Sequence, residues 1–404
     1  MAHGTLIPTS LRVRYRLTPW WARVLAIFVA SRAVTTGIML AFAAQQGDNA
    51  WTTPRPDYFD FSRLWDGHWY YIVATVGYPS VLPEDGAGHV TENAWAFMPA
   101  YPVLVRFLML LTGLPFDIVA VVISVAFALG TALLFYKLIA LVLPDSTALF
   151  STVLFCFAPL SPILQVAYAE SMHAFFLTLA LYLLLRRDYW MMIPVVGVMA
   201  LTRPSGLAFA LALLLHVGYR WFTRRRDPFP LREIVASIVL GLFSALMGVA
   251  WLLIAWGVTG SFTAYTDTEL AWRAPYVGWV ELVPFTPWVQ AAGFWTRIPG
   301  AELVVPLAVA FLVGFTAVLF SPWGRRLGHD LRFWCGSYLL YLLAVFFPQS
   351  STFRLLVPIF PLWGALAQPE SRIYRWALVV LSIAGQVGWI YIAWWVDGYD
   401  WTPP

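Results

Sequence analysis

Charged residues are scarce in this sequence of 404 residues: Asp, Glu, Lys and Arg together make up 11%, whereas a soluble globular domain has about 25%. Hydrophobic residues make up 60%, so an ordinary soluble enzyme is excluded. Cysteine is nearly absent as well. Cys156 and Cys335 each lie in an apolar run, which excludes a disulfide framework and a cysteine-rich metal site.

Long apolar runs are what the sequence has instead. The first, Trp21 to Ala43, is longer than the 7 to 15 residues typical of a signal peptide. Arg32 interrupts it, so we interpret it as an uncleaved first span, although Ala41-Phe42-Ala43 resembles a cleavage site. Further runs lie at 99–113, 116–136, 169–185, 189–202, 205–221, 234–257, 303–320, 333–347, 353–367 and 373–395. With about 20 residues per crossing, the pattern predicts an all-α polytopic membrane protein of about 11 transmembrane helices.

The arginines set the orientation. Placing the N-terminus inside, after Arg12, Arg14 and Arg16, puts the arginines of four more loops on the inner side: Arg186, Arg187, Arg220, Arg224, Arg225, Arg226, Arg232, Arg325, Arg326, Arg332, Arg372 and Arg375. Because inner loops carry excess Arg and Lys, 44–98 and 258–302 become the two long extracytoplasmic loops. Segment 148–167 is apolar but contains Pro159 and Pro162, so we predict a re-entrant segment on the outer side. No repeat is visible, so residues 1–404 form a single membrane domain.

The first outer loop contains an amphipathic stretch. From Phe61 to Val76, apolar residues recur at 61, 64, 65, 69, 72, 73 and 76, the spacing of one helix face. We therefore predict a helix lying along the membrane surface, with Asp66 and His68 within it. The alternative for Asp66 is an exposed acid paired with Arg63.

Three more polar residues interrupt apolar runs at the same predicted boundary: Glu170, Arg203 and Arg354. The run 189–202 is only about 21 Å long as a helix, which would recess Arg203 below the headgroups. An arginine there costs roughly 2.5–3.5 kcal/mol unless it faces a cavity or a partner. We therefore predict a polar cavity open to the outer leaflet. The alternative is that the arginines form buried ion pairs that hold helices together.

These residue types suit one class of chemistry. Guanidinium groups bind phosphate oxygens through paired, charge-assisted hydrogen bonds, and a carboxylate can take a proton from an attacking hydroxyl. Nucleotide sugars are not supplied outside the membrane, so the natural donor is carried on a lipid. The sequence thus predicts group transfer from a lipid phosphate to a hydroxyl.

The same residues resemble a known family, the GPI mannosyltransferase 2 (PIG-V type) proteins and their bacterial relatives, which belong to the GT-C superfamily of glycosyltransferases. The resemblance rests on Trp65-Asp66-Gly67-His68-Trp69, Gly77-Tyr78, Ala96-Phe97-Met98-Pro99-Ala100-Tyr101-Pro102, Ser161-Pro162, Tyr168-Ala169-Glu170-Ser171, Leu201-Thr202-Arg203-Pro204-Ser205-Gly206, Phe353-Arg354, Pro358 and Pro361. These motifs follow the family order from about residue 20 to 365.

The resemblance implies an inverting transfer of mannose from polyprenyl-phosphate-mannose to a glycolipid or glycan hydroxyl, with Asp66 as general base. Candidate ligands of the donor phosphate are Arg354, Arg203 and His68. Candidate substrate-binding residues are Glu170, Tyr168, Ser171, Trp65 and Trp69. We expect no metal, no other cofactor and no nucleic-acid partner. The expected location is a bacterial plasma membrane, with an extracytoplasmic site.

Other interpretations stay open at this point. Glu170 and His173 have helical i, i+3 spacing and could ligate a metal, but are more often a packed polar edge. Tryptophans of loop 258–302 are more often membrane anchors than sugar-stacking residues. A lipid-linked sugar transporter or flippase is the main rival class, although such proteins place ionisable residues near the midplane in paired repeats. A noncatalytic subunit of a glycosylation complex is the third possibility, and the acceptor is not defined.

Overall fold

The computed structural model describes residues 18–299, 301, 303–398 and 404, so Arg12, Arg14 and Arg16 lie outside the described residues. In chain order the helices are α1 (Trp20–Ala43), α2 (Tyr58–Ser62), α3 (Asp66–Thr75), α4 (Ala100–Thr112), α5 (Phe116–Ala140), α6 (Asp145–Phe157), α7 (Glu170–Arg186), α8 (Tyr189–Ala200), α9 (Gly206–Thr223), α10 (Leu231–Thr259), α11 (Ala264–Val277), α12 (Thr286–Trp295), α13 (Val304–Phe320), α14 (Pro322–Arg325), α15 (His329–Val345), α16 (Thr352–Leu355), α17 (Trp363–Leu366) and α18 (Arg372–Trp389). Short 3₁₀ helices cover Ala94–Ala96, Ser161–Gln165 and Val357–Leu362, and a π-helix covers Ile390–Trp394. The described part of the chain has no strand beyond one isolated bridge, between Glu84 and Val90.

The all-α, polytopic prediction is confirmed. In the described residues, five helical segments are long and apolar enough to cross a membrane: Trp20–Ala43, Phe116–Ala140, Gly206–Thr223, Leu231–Thr259 and Arg372–Trp394. Shorter apolar helices accompany them, among them Ala100–Thr112, Asp145–Phe157, Tyr189–Ala200 and Val304–Phe320. The count of eleven crossings stays a prediction.

Proline and glycine mark several helix ends. Pro115 and Pro230 directly precede α5 and α10, where the first backbone N–H groups have no partner within the helix and the fixed φ of proline does no harm. Gly113 and Gly260 follow α4 and α10 in left-handed backbone, with φ of 71° and 75°, as glycine does after many helices.

Helix α5 connects two opposite faces of the molecule. At its start, Asp117 pairs with Arg63 of the first loop at 3.0 Å. Near its end, Tyr136 stacks on Trp20 with ring centroids 5.4 Å apart. Its 25 residues span about 37 Å. We call the first face the Asp66 face and the second the Arg187 face, since Val142, just past α5, lines a cavity with Arg187.

The chain returns to the Asp66 face between residues 141 and 169. Helix α6 begins near the Arg187 face, and the chain reaches Tyr168, whose hydroxyl accepts a hydrogen bond of 3.0 Å from the Asp66 N–H. Segment 148–167 therefore traverses the bundle, and the prediction of a re-entrant segment is wrong. Pro159 and Pro162 end a helix and open a 3₁₀ helix without reversing the chain.

Residues 99–113 begin and end on the same face of the molecule, so the prediction that they cross the membrane is also wrong. The Ala100 N–H donates to the Leu201 carbonyl, the Tyr101 hydroxyl donates to the Ala120 carbonyl, and Phe116, just beyond α4, packs against Tyr71. Both ends of α4 thus stay on the Asp66 face. Its 13 residues reach about 20 Å, less than the roughly 30 Å hydrocarbon core. The two errors cancel, so the predicted orientation of the later helices is kept.

Close packing fixes the start of α9, just after Arg203. A Cβ added at Gly206 would lie 2.6 Å from the Gly248 nitrogen of α10. The Ser244 hydroxyl of α10 donates to the Gly206 carbonyl at 2.8 Å. Small residues permit such close helix approach in membrane proteins, and here the approach holds the backbone that carries Arg203.

Candidate active site

The segment that carries Asp66 is broken where one helix was predicted. Helix α2 ends at Ser62 and α3 begins at Asp66, so the prediction of one continuous helix from Phe61 to Val76 is wrong. The break centres on Trp65, whose φ of 59° is uncommon for a residue other than glycine. The Trp65 indole N–H donates to the Trp394 carbonyl at 2.9 Å, and the Trp394 indole N–H donates to the Phe61 carbonyl at 3.1 Å.

The Tyr168 hydroxyl hydrogen-bonds the backbone on both sides of Trp65. This buried hydroxyl accepts from the Asp66 N–H at 3.0 Å and donates to the Leu64 carbonyl at 3.2 Å. Strained backbone costs about 1–3 kcal/mol and persists only where its surroundings fix it. The two hydrogen bonds flank Trp65 and hold Asp66 as the first residue of α3.

Four charged side chains meet beside Tyr168. Asp66 pairs with Arg354, Arg354 lies 3.6 Å from Glu170, and Glu170 pairs with Arg203. We call these residues the charged quartet. Their side chains are 6–15% exposed, and their charges balance. The structure therefore contains the buried ion pairs that would hold helices together without any catalytic role. A catalytic role for these residues requires that the pairs also face a cavity.

The quartet does line a cavity, of about 420 Å³. The predicted convergence of an acid and two arginines at one cavity is a feature of this structure. Other residues that line the cavity are Phe97, Met98, His173, Ser205, Glu269, Trp272, Arg273 and Tyr338. Arg354 uses one terminal nitrogen for both Asp66 and Glu170, and its buried Nε has no hydrogen-bond partner among the described residues.

Five sequence-predicted site residues lie off the cavity lining: His68, Trp65, Trp69, Tyr168 and Ser171. The His68 ring faces Tyr71 at 6.2 Å, and burial together with Arg63 lowers the His68 pKa. The Ser171 hydroxyl donates to the Leu164 carbonyl at 2.8 Å. Trp65 and Tyr168 hold the backbone of Asp66 rather than line the cavity. Because His68 also lies off the cavity lining, it has no part in the donor site that we propose.

The residues missed by sequence reasoning are on α11, in loop 258–302. Glu269, Trp272 and Arg273 line the cavity, and their i, i+3, i+4 spacing was a signal available in the sequence. Burial raises the pKa of the Glu269 carboxyl above its usual range. Two other tryptophans of this loop, Trp288 and Trp295, donate indole hydrogen bonds to the carbonyls of Leu342 and Pro348, and so fasten α12 near the end of α15.

The Glu170 and His173 pair does not form part of a metal-ligand group in the described residues. His173 instead lies 3.0 Å from the Ser205 hydroxyl. The group of His, Cys, Asp or Glu residues with close ligand atoms in the described chain is His216, His329 and Asp330, within 4.8 Å of one another. That group lines a second cavity, on the Arg187 face.

The fold is that of the GT-C membrane glycosyltransferases. The structure of ArnT from Cupriavidus metallidurans bound to undecaprenyl phosphate matches with a TM-score of 0.50 at 14% identity, covering 88% of this chain and 62% of that chain. The Archaeoglobus fulgidus oligosaccharyltransferase, tethered with an acceptor peptide, gives a TM-score of 0.46 at 12% identity, over 94% of this chain and 56% of that one. The chain thus spans about three fifths of the length of these solved proteins.

The family follows from the sequence. The Mannosyltransferase (PIG-V) family matches residues 54–268, which is more than half of the chain, and the protein belongs to that family. The matched region includes Asp66, Glu170 and Arg203 but only the first five residues of α11, so Glu269, Trp272 and Arg273 lie beyond it. Arg354 lies beyond it. No curated protein matches the sequence.

Proposed function

We propose that this protein is a mannosyltransferase that moves mannose from polyprenyl-phosphate-mannose to a hydroxyl of a glycolipid or glycan. Family membership and fold support a membrane glycosyltransferase. The observation that carries the proposal is the pairing of Asp66 with Arg354, next to Glu170 and Arg203, on the wall of one cavity. A carboxylate and two guanidiniums are the groups that transfer from a lipid phosphate requires.

The donor phosphate binds to Arg354 and Arg203. A guanidinium has five N–H donors in a planar fork, so Arg354 can contact phosphate oxygens through nitrogens other than the one that holds Asp66 and Glu170. Its partnerless Nε supports this assignment. The presence of undecaprenyl phosphate in the ArnT structure supports a polyprenyl phosphate as the carrier.

Asp66 is the general base of a single inverting displacement. Its carboxylate takes the proton of the acceptor hydroxyl while that oxygen attacks C1 of the mannose. The bond from C1 to the phosphate oxygen breaks, and the phosphate leaves with the electron pair. The fixed positive charges of Arg354 and Arg203 stabilise the leaving phosphate in a partly dry site, as preorganised charges do.

The reaction takes place on the extracytoplasmic side. Arg187 and Arg220 lie together on the face opposite Asp66, and inner loops carry the excess of arginine. The Asp66 face is then the outer one, where a donor carried on a lipid enters sideways from the bilayer. A bacterial plasma membrane is the proposed location.

The variant Asp66→Asn tests the proposal, because it keeps the shape of the side chain and removes the base. A general base contributes about 10²- to 10⁴-fold, so we expect at least a 100-fold loss of labelled mannose transfer. The assay uses labelled polyprenyl-phosphate-mannose and membranes of a deletion strain as the source of acceptor. Asp60→Asn is the matched control, since Asp60 lies in the same loop with its side chain 48% exposed.

Full activity of Asp66→Asn would exclude Asp66 as base and would favour a noncatalytic subunit. A deletion strain with unchanged glycolipids and glycans that fails to take up a solute would favour a transporter.

A further inference from the structure

One wall of the cavity has no part in the donor chemistry proposed above. Helix α11 presents Glu269, Trp272 and Arg273 to the cavity, and residues three and four apart share a helix face. The helix is fastened at two places. The Asn93 amide donates to the Thr268 hydroxyl at 2.9 Å, and Arg273 Nη2 donates to the Val345 carbonyl at 3.0 Å. The wall is therefore held in position.

This wall has unused hydrogen-bonding capacity. Trp272 Nε1 and Arg273 Nη1 are buried and have no hydrogen-bond partner among the described residues. The ion pairs at this cavity in the described chain join members of the charged quartet, and Glu269 shares a hydrogen bond with the Tyr265 hydroxyl that leaves other lone pairs of its carboxylate for a ligand. Since most buried polar groups in proteins are paired, a set of two donors and one carboxylate on a cavity wall indicates a polar ligand.

The aromatic part of the wall is rigid. Trp272 packs edge-on against Trp69 at 5.6 Å and against Phe97 at 6.0 Å, and Phe97 stacks on Trp69 at 5.6 Å. An indole held in this way offers a preformed surface, so a ligand that packs on it loses little in ordering it.

The chemistry of the wall matches a sugar. A sugar ring carries hydroxyls that each donate and accept a hydrogen bond, and its C–H groups form an apolar face that packs on an aromatic ring. Glu269 can accept from hydroxyls, and Trp272 and Arg273 can donate to them. A phosphate would be repelled by the Glu269 carboxylate, which assigns the donor phosphate to the quartet.

We propose that Glu269, Trp272 and Arg273 bind the acceptor, and that the acceptor presents an uncharged sugar to Asp66 across the cavity. This rests on the proposed function and deepens it, because it names the residues that hold the sugar of the acceptor.

The test measures donor and acceptor dependence separately in the unaltered chain and in Glu269→Gln. Labelled polyprenyl-phosphate-mannose is one variable, and the amount of deletion-strain membranes is the other. A hydrogen bond to a charged group contributes enough for about a 10-fold effect. We expect Glu269→Gln to raise the amount of membranes needed for half-maximal rate about 10-fold, with donor half-saturation unchanged.

Asp267→Asn is the matched control on the same helix. Asp267 accepts a hydrogen bond of 2.6 Å from the Thr263 hydroxyl and is not on the cavity lining, so both dependences are expected to stay as in the unaltered chain. A shift in donor half-saturation for Glu269→Gln would overturn the assignment of this wall to the acceptor.

The labelled product provides the second measurement. Mannose found on a sugar of a glycan or glycolipid supports the proposal, and a single mannose released from polypeptide by mild alkaline elimination overturns it. If Asp66→Asn is inactive while Glu269→Gln has unchanged donor and acceptor dependences, the assignment of the acceptor site is wrong and the proposed function still holds. If the unaltered chain transfers no mannose, the proposed function fails and the acceptor site fails with it.

Discussion

Buried charges occur at both ends of this apolar molecule, and the two networks are built differently. On the Arg187 face, the buried Arg220 pairs with Glu233 at 3.0 Å, and beside it the exposed Arg187 pairs with Asp227 at 2.5 Å. Arg220 also donates to the Pro228 carbonyl at 2.8 Å. These contacts tie loops to helix ends around a cavity of about 180 Å³.

On the Asp66 face, one ion pair joins two parts of the chain that are far apart in sequence. Asp66 and Arg354 are 288 residues apart, and they border the larger cavity, of about 420 Å³. The strained residue of this face, Trp65, directly precedes Asp66. Buried charge alone therefore does not distinguish a site from a structural network. A cavity and a partnerless nitrogen do not distinguish them either, because Arg220 Nε on the Arg187 face also has no hydrogen-bond partner among the described residues. The differences are the cavity volume, about 420 Å³ against about 180 Å³, and the backbone of Trp65, whose ψ of −122° lies outside the left-handed helical region in which Arg187 ends α7.

The largest effect expected from this comparison comes from removing one arginine at each face. Arg354→Ala should lower donor use at least 100-fold, because preorganised charge at the leaving group is lost, while the acceptor dependence changes far less. Arg220→Ala should cost about 1–3 kcal/mol of stability but keep the activity of each folded molecule. Donor titrations and thermal unfolding of both purified variants measure this. Equal loss for donor and acceptor in Arg354→Ala would favour a purely structural ion pair.

A smaller effect is expected from the tyrosine behind Asp66. Tyr168→Phe removes the hydroxyl that fixes the backbone on both sides of Trp65, so the maximal rate should fall about 10-fold while both half-saturation values stay similar. Tyr189→Phe is the matched control: Tyr189 is also buried, and its hydroxyl lies 2.9 Å from His216 on the Arg187 face. The same rate loss in both variants would show that the effect is general destabilisation.

The smallest effect expected is a pH dependence of acceptor use. Burial raises the Glu269 pKa more than the Tyr265 hydrogen bond, Arg273 and Arg203 lower it, and Asp66 raises it further. The carboxyl therefore ionises at higher pH than an exposed glutamate does, and only the ionised form accepts hydrogen bonds with both oxygens. Acceptor half-saturation should improve a few-fold as pH rises through this raised pKa. Glu269→Gln should show a flat profile, and an unchanged slope in that variant would assign the pH effect to another group.

Much of the topology could be predicted from the sequence because charged residues are few and a membrane protein can place them only in loops, in cavities or beside a partner. The arginines of the loops predict an orientation for the chain, and an acid or arginine at the end of an apolar run must find a partner. Glu170, Arg203 and Arg354 were found in this way, and Asp66 was found from the amphipathic spacing of the first loop. The details missed depend on contacts that periodicity does not report. The break at Trp65 is fixed by Trp394 and Tyr168, both distant in sequence, and α11 was hidden in a loop that carried no strong apolar pattern.

The link between Trp65 and Trp394 also bears on how the protein is made. Residues near Phe61 emerge early from the ribosome, but the indole hydrogen bonds that fix them come from a segment translated more than 300 residues later. A nascent chain that has inserted most of its spans still lacks this support for Asp66. The enzyme is thus expected to become competent only at the final stage of its biogenesis.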